Sequence, residues 1–236
     1  MIPSIILLVL GAAMSTIFIV SKVTNYSLKT IVFKTIASLF FVALGIVAFC
    51  LTPGYFYFKL FTLLGLIFGM LGDVFLGFKY VTTGKIQKIW ILAGMFTFAF
   101  GHICYATGLL TQFYIPGNVL FIILPFVLPI AIISIYMVVA KKVGINFGKG
   151  MLLFGLFYLY CLTTMVSTSL SMVCLHKFSI TTLAMFFPAA LCFMASDFML
   201  TGNYFKAGER TKTYRALYSV FYYVAQFVIA FSILFL

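Results

Sequence analysis

An all-α polytopic membrane protein with eight transmembrane helices is the fold class this chain predicts, and three observations predict it. The 236 residues are 65% hydrophobic and 8% charged, with a mean hydropathy of +1.25, beyond what a soluble core uses. The apolar residues fall in runs of about 20, the length that crosses a bilayer. Between the runs stand turn residues or lysines. No polar or low-complexity stretch is long enough for a separate soluble domain, so residues 1–236 read as a single transmembrane domain.

The first run, 2–21, has its first lysine, Lys22, after it rather than before it, which predicts a retained span and not a secretory signal. A second span, 31–51, is closed by Thr52-Pro53-Gly54, and a third, 57–78, runs to the break at Thr83-Gly84-Lys85. The fourth, 89–111, stops before Pro116-Gly117-Asn118, and the fifth, 118–140, before Lys141-Lys142 and Gly144. Spans six, seven and eight are expected at 150–173, 178–201 and 213–236, with Gly202 and Gly208 punctuating the last connection. The cysteines, Cys50, Cys104, Cys161, Cys174 and Cys192, lie in apolar runs without Cys-x-x-Cys spacing and read as buried free thiols.

Loops one, three, five and seven carry 13 of the 15 basic residues, and the even loops only Lys59 and Lys177. By the positive-inside rule the odd loops are cytoplasmic and both termini lie opposite, in a bacterial cytoplasmic membrane or the endoplasmic reticulum of a eukaryote. The net charge of +12 is thereby a cytoplasmic collar that attracts anionic lipid, and it calls for no nucleic acid.

Against this background the acids stand out. There are three, and two of them, Asp73 in Gly69-Met-Leu-Gly-Asp73-Val-Phe-Leu76 and Asp197 in Phe193-Met-Ala-Ser-Asp197-Phe-Met-Leu200, lie late in apolar runs. An ionisable group at that depth is costly and by default marks function, the alternative being a packing hydrogen bond to a neighbouring helix. Both sit on helices running toward the cytoplasm, on the order of 6–8 Å below the boundary by helix rise. Their small predecessors, Gly72 and Ser196, leave room for a neighbouring helix or a substrate.

The acids are offset by 124 residues, as are His102 and Gln226. The shared offset suggests two parallel four-helix halves, 1–116 and 117–236, in which the two carboxyls face one cavity as a general acid beside a carboxylate. His102 falls near mid-membrane, deeper than Asp73, as a site residue or a packing hydrogen bonder, and His176 falls in a far-side loop as a solvated residue. Tyr105, Tyr158, Tyr218, Tyr222 and Tyr223 can carry hydroxyls into the bundle, and Lys79, Lys206, Arg210 and Arg215 can meet a phosphate at a cavity mouth.

Gly72-Asp73-Val-Phe-Leu76, Gly94-Met-Phe-Thr-Phe-Ala-Phe-Gly-His102-Ile-Cys-Tyr105, Ala195-Ser196-Asp197 and Arg215 through Tyr222-Tyr223-Val-Ala-Gln226 resemble, in order and spacing, the YhhN family of eight-helix membrane proteins, which includes the animal lysoplasmalogenases. Lys34 and Tyr158 fall where that family has a lysine opening helix two and a tyrosine in helix six, although Thr35 stands where many members have proline. The resemblance implies hydrolysis of the vinyl ether bond of a lysoplasmalogen within the bilayer, with Asp73 and Asp197 catalytic and His102, Tyr105, Gln226, Tyr222, Tyr158, Lys34 and Arg215 supporting or binding substrate. Two histidines at opposite depths cannot supply a three-histidine zinc site, so no metal is expected, nor a cofactor. Two readings from other classes compete: a proton- or cation-coupled transporter whose aspartates carry the ion, and a lipid-binding regulatory protein without turnover.

Overall fold

In the computed structural model, which describes residues 1–24, 26–146, 150–205 and 211–236, the chain forms eight helices. They are α1 (Ile2–Thr24), α2 (Leu28–Leu51), α3 (Phe56–Phe78), α4 (Gly84–Phe113), α5 (Val119–Lys142), α6 (Leu152–Leu175), α7 (Thr181–Phe205) and α8 (Lys212–Ser232), the last followed by a short 3-10 turn, Ile233–Phe235. Each is long and apolar enough to span a membrane, and the chain is an integral multi-pass membrane protein. Lys149, Lys206, Glu209 and Arg210 lie outside the described residues.

Several helix ends lie a few residues from expectation, and three of these shifts have a local cause. The second helix starts at Leu28 because the Ser27 amide donates to Thr30 Oγ1 at 3.2 Å, half of a capping box. The fourth starts at Gly84, not 89: Lys85, Gln87 and Lys88 are polar but helical, and Gln87 Nε2 ties the turn to the Lys79 carbonyl at 2.9 Å. The seventh passes through Gly202 to Phe205, since that glycine serves close packing, with Tyr214 Oη 2.8 Å from where a Cβ would stand.

Apolar side chains such as Ile5, Val9, Ile123, Val127 and Ile130 face outward, while Ser38, Thr62, His102, Thr163, Ser169 and Gln226 are buried. This inversion follows from a lipid solvent, in which helices associate through close packing and polar contacts instead of water exclusion. It also corrects the cysteine expectation: the five are free thiols, but Cys50 and Cys174 are exposed and only Cys161 is fully buried. Pro125 and Pro129 sit within α5, which packs chiefly on α6 at the edge of the bundle.

Close approach of α3 and α4 is set by glycine. A Cβ on Gly101 would lie 3.1 Å from the Gly65 carbonyl oxygen, and one on Gly72 would lie 2.5 Å from the Phe98 ring. The room behind Gly72 is therefore filled by a neighbouring helix, while Ser196 donates to the Tyr218 carbonyl at 2.8 Å. Consecutive helices pack on each other within α1–α4 and within α5–α8, and α4 also packs on α6 while α8 packs on α1, α2 and α3.

Candidate active site

At the odd-loop end of the bundle α1, α2, α3, α4, α6, α7 and α8, with Tyr26 and Tyr80, surround a cavity of about 830 Å³, open solvent at its mouth included. Asp73 and Asp197 both line it, with Lys22, Lys34, Tyr158 and Tyr222. A shallow apolar groove between α4 and α6, formed by Phe96, Phe154 and Phe157, shares Met95 and Tyr158 with it.

The two carboxyls are held differently. Asp73, 2% exposed, has both oxygens engaged: Oδ1 pairs with Lys34 Nζ at 2.8 Å, and Oδ2 accepts from Ser38 Oγ at 2.5 Å and Tyr222 Oη at 2.7 Å. Lys34 and Ser38 are four residues apart on α2 and so share a face, which lets one helix supply a cation and a hydroxyl to one carboxylate. Asp197, 5% exposed, accepts a short hydrogen bond at Oδ2 from Tyr158 Oη, and Oδ1 has no protein hydrogen-bond partner among the described residues. Lys34 and Tyr158 are separated by the same 124 residues as the acids they contact.

Behind each acid lies a polar relay. Tyr105 Oη donates to Gln226 Oε1 at 2.9 Å, Gln226 Nε2 donates to Tyr222 Oη at 3.2 Å, and Tyr222 donates to Asp73. On the other side His102 Nε2 lies 3.4 Å from Tyr158 Oη and 4.0 Å from Asp197 Oδ2, stacked edge-on against Phe193. Since Tyr158 spends its proton on Asp197, the hydrogen on the histidine belongs at Nε2, and Nδ1 is buried with no partner among the described residues. His102 and Gln226, 124 residues apart, thus each contact the tyrosine that holds an acid. Tyr105, His102 and Gln226 stand behind the cavity wall and not on it.

Arg215, in the first turn of α8, is also off the wall; its carbonyl accepts from Ser219 Oγ, and its Nε is buried without a hydrogen-bond partner among the described residues. Tyr218 and Tyr223 do line the cavity. His176, expected in solvent, instead reaches the Phe113 carbonyl at 2.8 Å through Nε2, which joins the ends of α6 and α4.

Sequence reasoning missed Ser38, Lys22, Tyr26, Tyr80 and Tyr204 in this region. For Ser38 the four-residue spacing from Lys34 was a usable signal. Lys22 had none, because a lysine closing a span looks the same whether it snorkels to water or turns inward. At the mouth Tyr26 and Tyr80 stack with ring centroids 4.1 Å apart, and burial pushes both phenols above their ordinary range. Lys79, just past the end of α3, lies 2.9 Å from the Tyr204 ring centroid and 4.7 Å from that of Tyr80. Burial, with help from the charge on Lys34, pushes its ammonium down to about 6; desolvation outweighs the attraction of the ring faces.

A sequence model of the YhhN family matches residues 29–233. No curated protein and no solved structure matches the chain.

Proposed function

The chain belongs to the YhhN family, and on that premise we propose that it is an intramembrane hydrolase that cleaves the vinyl ether bond of lysoplasmalogens to a fatty aldehyde and glycerophosphocholine or glycerophosphoethanolamine. The observation that carries the reading is that the two membrane acids share one cavity and differ in their partners. Asp73 is the carboxylate, compensated by Lys34 and two hydroxyls. Asp197 has no lysine or arginine within ion-pairing distance among the described residues, and one of its oxygens is free toward the cavity.

In the proposed cycle Asp197 delivers a proton from Oδ1 to the alkene carbon farther from the ether oxygen, the one that bears the alkyl chain, and the electron pair of the double bond forms the new C–H bond. The cation that remains is an oxocarbenium ion, and the Asp73 carboxylate stabilises its charge in a low-dielectric site. Water adds to the oxocarbenium carbon and gives its proton to Asp197, which restores the acid. The resulting hemiacetal transfers its hydroxyl proton to the glycerol oxygen as the C–O bond breaks, releasing aldehyde. This division of labour between two carboxyl groups parallels glycoside hydrolysis. Lys22, in the cavity wall, suits a phosphorylated head group. With the odd loops placed in the cytoplasm, the cavity mouth opens to the cytoplasmic leaflet.

The test is aldehyde release from a 1-alkenyl lysophospholipid by the purified protein, with Asp73→Asn and Asp197→Asn in parallel. Full activity in either variant overturns the mechanism, and proteoliposome uptake of a solute or ion without aldehyde product replaces it with transport.

A further inference from the structure

Two lysines in the wall of the cavity use their charge in different ways. Lys34 is committed to Asp73, its Nζ also lying 3.2 Å from that residue's own carbonyl. Lys22, 8% exposed, donates to Ser219 Oγ at 2.7 Å and lies 4.0 Å from the Tyr218 ring centroid. No carboxylate among the described residues pairs with it. Lys59, the buried lysine of the opposite end, is a useful contrast, because its ammonium is satisfied by the Thr52 and Phe49 carbonyls at 2.5 and 3.2 Å.

An ammonium has three donors. Ser219, which passes its own proton to the Arg215 carbonyl at 2.9 Å, takes one of those from Lys22. The Tyr218 ring face accommodates part of the charge, and the remaining donor capacity borders the cavity that Lys22 lines. A buried cation without a counterion is costly, and an anion within the cavity removes that cost while it forms charge-assisted hydrogen bonds.

We propose that Lys22, steadied by Ser219 and Tyr218, is the phosphate-binding residue of the cavity and takes the head-group phosphate of a single-chain phospholipid. The assignment rests on the hydrolase reading for its substrate class. The spacing agrees with it: Ser219 anchors Lys22, and Tyr222, which holds Asp73, stands three residues further along α8, about 4.5 Å deeper by helix rise. In an extended lysoplasmalogen six bonds, roughly 7 Å, separate the phosphorus from the vinyl ether carbon, so a phosphate on Lys22 brings that carbon to the level of the acids as the glycerol crosses the cavity.

The experiment measures binding without turnover. Purified full-length protein is titrated with a saturated 1-alkyl lysophosphatidylcholine, which has no vinyl ether, and with the 1-alkylglycerol of the same chain, which has no phosphate. Wild type is expected to bind the phospholipid at least about tenfold more tightly, the scale of one charge-assisted hydrogen bond. Lys22→Gln is expected to lose that preference with alkylglycerol binding unchanged, which also reports that the cavity is intact, and Lys22→Arg to keep part of it. A Lys22→Gln protein that retains the full preference overturns the proposal. So does inorganic phosphate stabilising the wild-type protein at millimolar concentration as strongly as the lysophospholipid does, since the site is then one for free anion. Aldehyde release from the alkenyl substrate is read separately. Phosphate-dependent binding without aldehyde leaves this site standing and sinks the hydrolase reading, and aldehyde release with an unaltered Lys22→Gln preference does the reverse.

Discussion

Lys34 on α2 and Asp73 on α3 form a buried ion pair at 2.8 Å, and the position equivalent to Lys34 in the second half of the chain is Tyr158, which holds Asp197 without compensating its charge. Two exchanged positions, Lys34 against Tyr158 and Ser38 against Leu162, thus distinguish the surroundings of the two acids. Each acid has a tyrosine hydroxyl, Tyr222 or Tyr158, and each tyrosine is backed by a polar residue, Gln226 or His102. The pair has in this way a built-in asymmetry suited to acid and carboxylate roles.

Removing the proton donor tests that asymmetry. Asp197→Asn is expected to lower aldehyde release on the order of 10²–10⁴-fold, the usual scale for general acid catalysis, with thermal stability close to wild type because no ion pair is lost. Turnover and the unfolding midpoint, measured on the same preparation, check it.

The ion pair predicts a different outcome. Lys34→Met leaves the Asp73 carboxylate buried and unpaired and is expected to destabilise the protein by about 3–5 kcal/mol. Lys34→Met combined with Asp73→Asn is expected to recover most of that stability and none of the activity. A double-mutant cycle on detergent-solubilised protein measures both quantities; additive destabilisation would show that the pair is not coupled.

Gly72 predicts a steric effect transmitted to the site. An alanine there places its Cβ 2.5 Å from the Phe98 ring, and Phe98 lines the cavity beside Tyr222. Gly72→Ala is expected to cost about 1–3 kcal/mol and to lower turnover. Gly72→Ala, Phe98→Leu should restore part of both, read by thermal unfolding and aldehyde release.

Lys79 predicts a pH dependence. Its folded value of about 6 lies below the ordinary 10.5, so below pH 6 the lysine is charged in both states and the fold bears the full cost of burying the charge. Between pH 6 and 10.5 the unfolded chain binds the proton and the folded chain does not, so this residue makes stability rise with pH. Lys79→Met is expected to be more stable than wild type at pH 6 and to show a flatter profile from pH 6 to 9. Unfolding midpoints across that range test it.

Much of the architecture was legible in the chain because bilayer thickness imposes a length that composition reveals. Eight apolar runs became eight helices, and errors at Gly84 and Gly202 arose where a polar turn stays helical outside the hydrocarbon or a glycine serves packing instead of ending a helix. Asp73 and Asp197 were conspicuous because charge is scarce in such a sequence, and their offset of 124 residues was arithmetic. What only the tertiary structure decided is which groups surround each acid. Depth along a helix is set by position in the chain, but the direction a side chain faces depends on how the helices are rotated against one another. That rotation joined Lys34 and Ser38 to Asp73, put Tyr158 and His102 beside Asp197, and turned Lys22 from an expected part of the cytoplasmic collar into an inward-facing lysine.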